Sequence, residues 1–339
     1  MTPATNNIRK LETGTDLETK TPVRFIGSAT PISDFLQLYD NKKTRENYRL
    51  AIGAYLRCLY PGTFKRPHEI DPHAVTYLKE LTEGRNYHRD LRIVGNTFSK
   101  TYAPMTANLY LKATCVLLED NGFSLSRRER SRIFISLPPA RASTKEIELK
   151  RRIFQEMYLE MPEHIGALLL TMVGSGMRLG EATKLLKTDL DDSQARTAVN
   201  IRAEITKTKT ARVTYLTQEA SEALRDYFAV RKDNDPRVFP FSALTAQYHF
   251  RKTADFLGYG NPDPATNTGQ LHWHMTRKWF ISRFSLAANK DIAELLAGHE
   301  GYLAASYQRY TKKQILKQFK KAEHEIQHPP VIKIELHPA

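Results

Sequence analysis

A proline-containing stretch divides the sequence into two parts with different hydrophobic patterns. It reads Leu137-Pro-Pro-Ala-Arg-Ala-Ser-Thr144. Before it, from Pro31 onward, apolar residues recur at helical spacing and no strand alternation is convincing. After it, helical patterns flank residues 198–216, where apolar residues alternate as they do in a β-hairpin. The sequence therefore predicts a mainly α protein with one small β-hairpin.

These patterns predict two domains of ordinary size in a chain of 339 residues. Adjacent prolines and small polar residues are typical of linkers, because they interrupt regular structure. The predicted segments are a flexible N-terminal arm at 1–28, a helical domain at 29–137, a linker at 138–145, a mixed α+β domain at 146–325 and a C-terminal tail at 326–339.

The chain is strongly basic, with 51 Lys and Arg against 37 Asp and Glu and a formal net charge of +14. Such an excess indicates a polyanionic partner, which could be nucleic acid, an anionic membrane or an acidic protein. The most apolar stretch, Ile165 to Val173, is far shorter than the ~20 residues that span a bilayer. The N-terminal residues lack the apolar core of a signal peptide. These features favour nucleic acid over a membrane as the partner.

Common metal, nucleotide and hydrolase motifs are absent from the sequence: it contains no HExxH, CxxC, GxxxxGK[ST] or GxSxG. The two cysteines, Cys58 and Cys115, each lie among apolar residues of a predicted helix. This favours two buried thiols over a disulfide or a metal site, and a reducing, cytoplasmic setting. We expect no metal and no small-molecule cofactor.

Two short contexts in the second half could bind a phosphate. In Gly174-Ser-Gly-Met-Arg178-Leu-Gly-Glu181 an apolar helix ends at the glycines and a new helix begins near Arg178. A helix N-terminus beside a guanidinium suits an anion, although an ordinary surface arginine would explain this segment equally well. In His274-Met-Thr-Arg277 the two charged residues are three apart, so on a helix they share one face.

A third context combines a histidine with two tyrosines. Gly298 suits the end of a helix, which places His299 at an exposed turn. Tyr307 and Tyr310 follow, and Thr311 can cap the next helix. An isolated tyrosine is usually a packing residue, so this context indicates chemistry only in combination with the other two.

The order arginine, hairpin lysine, His-x-x-Arg, Gly-His and tyrosine resembles the tyrosine recombinase (phage-type integrase) family. The resemblance covers residues 145–322 closely and 30–140 loosely, and the Ser306-Tyr-Gln-Arg form looks like that of archaeal members. It implies a helical core-binding domain and a mixed catalytic domain that form a C-shaped clamp around duplex DNA. Most of the affinity of such a clamp would come from phosphate contacts.

The resemblance also implies the central chemistry. Arg178 and Arg277 would clamp the scissile phosphate and stabilise the charge of its transition state. Tyr307 would attack the phosphorus and form a 3′-phosphotyrosyl link. Because that link conserves the bond energy, no ATP is needed, and because the arginines neutralise charge, no metal ion is implied.

The remaining roles follow from the same resemblance. Lys207 would protonate the leaving 5′-oxygen, and His274 would assist proton transfer. His299 would hydrogen-bond the phosphate, and Glu181 would support the site from behind. The predicted DNA contacts are Arg127, Arg128, Lys209 and Arg212.

Two assignments, those of the catalytic lysine and of the nucleophilic tyrosine, each have a competing candidate. Lys207 shares strand parity with Ile205, whereas Lys209 is nearer the tip of the turn. The Gly-His to tyrosine spacing departs from the commonest bacterial pattern by one residue at Tyr307 and by two at Tyr310. Tyr307 also precedes the helix cap Thr311 by four residues, which is the family's usual arrangement.

The leading functional hypothesis is a site-specific integrase or excisionase of a mobile element that acts as a homo-tetramer on paired duplex sites. A Xer-like resolvase or a type IB topoisomerase would use the same chemistry. A non-catalytic DNA-binding protein would not need the full residue set. A basic protein that binds RNA or a membrane surface would explain the charge but none of the motifs.

Overall fold

The computed structural model describes residues 31–62, 64, 69–141, 144–264, 266–298 and 310–327. The chain divides into two compact units, residues 1–143 and 144–339. The helices of the first unit are α1 (Pro31–Gln37), α2 (Lys42–Leu59), α3 (Ile70–Thr82), α4 (Tyr87–Thr101), α5 (Pro104–Asp120) and α6 (Arg127–Phe134).

The first unit is helical throughout its described residues, as its periodicity predicts. Helix α2 packs against α5, and α4 packs against both α5 and α6. The buried faces of these helices meet in one apolar core, to which Phe35, Ile52, Leu91, Phe98 and Leu118 contribute fully buried side chains. Local caps fix the helix starts: the side chain of Asn41 accepts backbone N–H groups at the start of α2.

The second unit surrounds one apolar helix with amphipathic ones. Its helices are α7 (Arg151–Glu160), α8 (Glu163–Ser175), α9 (Leu179–Ala182), α10 (Gln218–Val230), α11 (Ala243–Phe256), α12 (His274–Ala287), α13 (Lys290–Ala297) and α14 (Lys312–Ile326). Every residue of α8 from Ile165 to Ser175 is buried, and both α10 and α12 pack against this helix. A helix that is apolar on all sides belongs in the interior of a protein.

A three-stranded antiparallel sheet completes the second unit, with strands β1 (Leu190–Asp191), β2 (Ala198–Ile201) and β3 (Arg212–Tyr215) in that order. Strands β2 and β3 form the predicted hairpin, with Ala198 opposite Tyr215 and Ile201 opposite Arg212. The fold class predicted from the sequence, mainly α with a small β element, is confirmed.

The hairpin is shorter than its alternating pattern indicates. Residues Ala203–Ile205 form a 3₁₀ turn rather than a continuation of β2. Strand parity therefore does not extend from Ile205 to Lys207, and the parity argument for Lys207 was wrong. A 3₁₀ turn repeats every three residues, so it breaks the two-residue alternation of a strand.

The two cysteines differ in environment. Cys115 on α5 is buried, but Cys58 near the end of α2 is exposed, so the prediction of two buried thiols was wrong for Cys58. The last turn of α2 presents this position to solvent despite its apolar neighbours in sequence. Among the described residues, no helix is both long and apolar enough to cross a membrane.

The end of α8 depends on a glycine in the left-handed conformation. Gly176 has φ +68°, and its backbone N–H donates to the carbonyl oxygen of Met172. A Cβ at this position would lie 2.4 Å from Cδ1 of the fully buried Phe280. The position therefore requires glycine for two separate reasons, backbone conformation and contact distance.

We expect Gly176→Ala to lower the free energy of unfolding of the second unit by at least about 2 kcal/mol. Left-handed backbone costs an L-residue about 1–2 kcal/mol, and overpacking costs about 1–3 kcal/mol more. Gly258→Ala is the matched control, since Gly258 has φ +77° but open space around it. Urea unfolding followed by tryptophan fluorescence reports on this unit, because both tryptophans, Trp273 and Trp279, lie in it. Equal losses of unfolding free energy in Gly176→Ala and Gly258→Ala would contradict the expected steric conflict with Phe280.

Candidate functional site

Arg178 is the residue at which the chain turns from α8 into the four-residue helix α9. It lies two residues after Gly176, has extended backbone and forms the N-cap of α9. The carboxylate of Glu181 accepts the backbone N–H of Arg178 at 3.0 Å and its Nη1 at 3.0 Å. The Arg178 side chain is 26% exposed, so its guanidinium remains accessible to a ligand.

Arg277 lies in the first turn of α12 and is 3% exposed. Its Nη1 donates to the backbone carbonyls of Gly176, at 2.9 Å, and of Ala297. Its Nη2 is buried and has no hydrogen-bond partner among the described residues. Burial and the positive charges of Arg178 and Arg212 lower the pKa of Arg277 to about 10. The group stays charged at neutral pH, with one buried donor nitrogen unused.

The C-terminal end of α13 brings three arginines together. Gly298, with φ +69°, ends this helix as the sequence predicts. Three successive carbonyls accept guanidinium donors there: that of Leu296 from Nε of Arg212 at 3.0 Å, that of Ala297 from Arg277, and that of Gly298 from Nη2 of Arg178 at 3.2 Å. The last carbonyls of a helix lack partners within the helix and carry partial negative charge, so cations are favourable here.

Among the described residues, Glu181 is the one acidic residue with which Arg178 and Arg212 form side-chain ion pairs. It is 2% exposed, and its two carboxylate oxygens accept from Arg212 at 3.2 and 2.6 Å as well as from Arg178. Burial by itself would raise the pKa of Glu181, but the hydrogen bonds and charge of Arg212 and the hydrogen bonds of Arg178 outweigh it and lower that pKa. A buried carboxylate is stable only with such partners.

A cavity of about 450 Å³ opens beside the arginines. Arg178, His274 and Arg277 line one part of it, and apolar side chains, among them Leu271 and Trp273, line another. Desolvation and the positive charges of Arg277 and its neighbours lower the pKa of His274, which favours the neutral imidazole at pH 7. His274 and Arg277 thus share the helix face predicted from their spacing and border one cavity with Arg178.

The predicted basic contacts lie in different environments. Lys207 and Lys209 are exposed in the loop between the 3₁₀ turn and β3, where Lys209 has φ +58°. Arg127 and Arg128 are exposed in the first turn of α6. Arg212, by contrast, has a side chain only 8% exposed and bonded to Glu181, which differs from the surface position expected of a DNA contact.

Two predicted residues, His299 and Tyr307, lie outside the described residues. The rival tyrosine, Tyr310, is half-buried, and its hydroxyl accepts from the side chain of Asn289 at 3.4 Å. Thr311 caps α14 as predicted: it accepts the backbone N–H of Gln314 at 3.2 Å in a capping box.

The supporting role of Glu181 was expected, but the sequence did not predict that Arg212 belongs to this arginine–carboxylate network. Arg212 pairs with a residue 31 positions earlier and with a carbonyl 84 positions later. A pattern of neighbouring residues cannot indicate pairings between residues so far apart in the sequence. The available signal is a charged residue placed in a strand next to apolar Val213, where burial would require a partner.

No group of three or more His, Cys, Asp or Glu side chains within the described part of the chain is arranged to hold a metal ion. The arginine cluster instead offers hydrogen-bond donors. Arg277 contributes a buried donor and Arg178 a partly exposed side chain, and both residues line the cavity. Chemically, this arrangement suits an anionic group.

Solved structures with the same fold are DNA-bound integrases. A lambda integrase fragment, a dimer bound to a COC′ core site, has a TM-score of 0.58 at 13% identity and covers 83% of this chain and 98% of its own. A Tn1549 transposon integrase in complex with transposon right end DNA has a TM-score of 0.52 at 13% identity, covering 80% and 98%. At such identities the likeness concerns the fold alone.

Sequence comparison gives the family. A Haemophilus influenzae protein provisionally named integrase/recombinase is 30% identical over 164 residues, which are 45% of this chain and 40% of that protein. The match thus spans less than half the length of that relative. The model of the phage integrase family matches residues 148–317, half of the chain. The chain therefore belongs to the phage integrase family, the tyrosine recombinases.

Proposed function

We propose that this chain is a site-specific DNA recombinase that cuts and rejoins strands through a 3′-phosphotyrosyl intermediate. One observation carries the proposal. The guanidiniums of Arg178 and Arg277 border the same cavity, and Nη2 of Arg277 is a buried donor without a partner among the described residues. A buried, unsatisfied donor is costly unless a ligand uses it, and a phosphodiester oxygen supplies the matching acceptor.

The charge of the cluster supports the same ligand. The guanidiniums of Arg178 and Arg212 bind the carboxylate of Glu181, and that of Arg277 lies near them, which leaves two positive charges uncompensated among these four residues. The transition state of phosphoryl transfer carries more charge on its equatorial oxygens than the diester does. Preorganised donors aimed at that charge each contribute roughly 2.7–4 kcal/mol to catalysis.

The proposed reaction balances without a cofactor. The phenolic oxygen of Tyr307 forms a bond to phosphorus, the bond to the 5′-oxygen breaks, and Lys207 supplies the proton that this oxygen takes up. His274, held in the neutral form, accepts the proton of the phenol, and His299 hydrogen-bonds the phosphate. Attack by the free 5′-hydroxyl of another strand reverses these steps and rejoins the DNA.

Exposed basic residues supply the proposed binding to duplex DNA. Arg127 and Arg128 lie at the N-terminal end of α6, where the helix dipole disfavours positive charge. An external phosphate would relieve that repulsion, and Lys209 would contact the backbone from its loop. A lambda integrase of the same fold is a tetramer on a Holliday junction, with a TM-score of 0.58. We propose that this chain also acts as a homo-tetramer on paired sites, as the integrase or excisionase of a mobile element.

The nucleophile is tested by trapping the covalent adduct. We expect Tyr307→Phe to abolish the protein–DNA adduct and Tyr310→Phe to retain it, because only the first removes the attacking oxygen. The substrate is a nicked duplex with the sequence that the native chain selects from a randomised pool. The adduct is measured as a slow-migrating band on a denaturing gel.

Tyr310→Phe also controls for the loss of a hydroxyl near the site, because Tyr310 packs beside α13 and bonds Asn289. An adduct that survives in Tyr307→Phe but disappears in Tyr310→Phe would move the nucleophile to Tyr310. An adduct in both variants would contradict the phosphotyrosyl mechanism. Relaxation of supercoiled DNA without strand exchange would indicate a topoisomerase with the same chemistry.

The lysine is tested with a leaving group that needs no proton. We expect Lys207→Ala to slow cleavage of ordinary DNA by about 10²–10⁴-fold, the usual contribution of a general acid. A substrate with sulfur at the leaving 5′ position should be cleaved within about threefold of the native rate, since a thiolate is a stable leaving group near neutral pH. Single-turnover cleavage measures both rates.

Lys209→Ala is the matched control, because Lys209 is an exposed lysine of the same loop. It should reduce the affinity for DNA and leave the ratio of the two cleavage rates unchanged. If Lys209→Ala, and not Lys207→Ala, slowed cleavage of ordinary DNA while sparing the sulfur substrate, Lys209 would be the residue that protonates the leaving group. An equal loss on both substrates in Lys207→Ala would show that this lysine does not protonate the leaving group.

A further inference from the structure

We propose that Arg212 is a positioning residue of the recombination site rather than a contact to DNA. In this role it ties the carboxylate of Glu181 to the C-terminal end of α13. It thereby holds Arg178 and Gly298 in place relative to Arg277. The inference rests on the proposed function and adds a residue through which the phosphate-binding arginines are arranged.

The first argument is how the guanidinium of Arg212 is used. Its Nε donates to the carbonyl of Leu296 at 3.0 Å, and its Nη1 and Nη2 donate to the two oxygens of Glu181 at 3.2 and 2.6 Å. The three nitrogens thus all bind groups of the protein itself. Arg277 differs, since its Nη2 is buried without a partner among the described residues. Such a difference separates an arginine that supports the site from one that awaits a ligand.

The second argument is how closely the backbone approaches this guanidinium. A Cβ on Gly298 would lie 2.7 Å from both Cζ and Nε of Arg212, and Gly298 has φ +69°. Gly298 therefore packs directly on Arg212. The carbonyl of Gly298 in turn accepts from Nη2 of Arg178. A shift of the Arg212 side chain would be transmitted to Gly298 and to Arg178.

The third argument concerns charge. Glu181 now divides its hydrogen bonds between Arg212 and Arg178. Without Arg212 the buried carboxylate would keep Arg178 as its remaining side-chain ion-pair partner, and the pair would be neutral. Arg178 would then be drawn toward Glu181 and offer less positive charge to a phosphate. Small displacements of this kind are costly, since about 1 Å of misplacement can reduce a rate 10²-fold.

A second arginine of the same unit offers a matched comparison. Nε of Arg202 donates to both oxygens of the buried Asp189, at 2.9 and 3.1 Å, and its Nη2 donates to the carbonyl of Lys184 at 3.1 Å. Arg202 thus combines a buried carboxylate with a backbone carbonyl, as Arg212 does. It contacts neither Glu181 nor α13, so Arg202→Met tests the loss of a structural ion pair alone.

The experiment compares Arg212→Met, Arg212→Lys and Arg202→Met in the full chain. Three quantities are measured for each: tryptophan-detected unfolding, the salt dependence of the dissociation constant for the selected duplex, and the single-turnover cleavage rate at saturating DNA. We expect Arg212→Met to cleave about 100-fold more slowly, Arg212→Lys about 10-fold more slowly, and Arg202→Met at the native rate. Lysine restores the charge but not the two-pronged contact with Glu181.

The salt dependence separates positioning from DNA contact. A lost phosphate contact lowers the slope of log affinity against log salt by about 0.9, and we expect no such change in Arg212→Met. A slope lowered by that amount with a native cleavage rate would make Arg212 a DNA contact. A cleavage loss in Arg202→Met equal to that in Arg212→Met would make the role merely structural. Absence of an adduct with the native chain would overturn the proposed function itself, and this role with it.

Discussion

The ion pairs of Glu181 hold the arginine cluster together. Without this carboxylate, three guanidiniums would converge on the end of α13 with only backbone carbonyls to balance their mutual repulsion. One buried negative charge is enough to fix Arg178 and Arg212 in a set geometry while the cluster stays positive overall. The pKa of Glu181 is lowered by its arginine partners, so the carboxylate remains ionised at neutral pH.

The arginine cluster holds positive charge in a partly buried position, where solvent screens it only weakly. Arg277 is the clearest case, since burial and two like charges lower its pKa, yet a value near 10 leaves it protonated at neutral pH. Holding a charge in this way destabilises the empty site, and an anion that enters the cavity removes the cost. In the proposed reaction the developing charge of the phosphoryl transition state exceeds that of the diester, so the relief would be larger there and would accelerate cleavage.

Local rules predicted the parts of the site that are set by local structure. Gly176 and Gly298 end their helices in the left-handed conformation, and the i, i+3 spacing placed His274 and Arg277 on one helix face. The rule for strands failed after Ile201, because a 3₁₀ turn replaces the continued strand and removes the parity of Lys207. Cys58 was misjudged because its apolar neighbours in sequence do not cover it in space. The role of Arg212 depends on partners 31 and 84 residues away, which no window of sequence contains.

The two glycines show how backbone and charge constrain each other. At Gly176 the missing side chain admits Phe280, and the freed carbonyl reaches Arg277. At Gly298 it admits the guanidinium of Arg212, and the carbonyl reaches Arg178. In both places a left-handed glycine offers its carbonyl to one arginine, while a different side chain lies too close for any Cβ. The helix ends therefore belong to the proposed anion site, since the turns at Gly176 and Gly298 set the spacing of the guanidiniums.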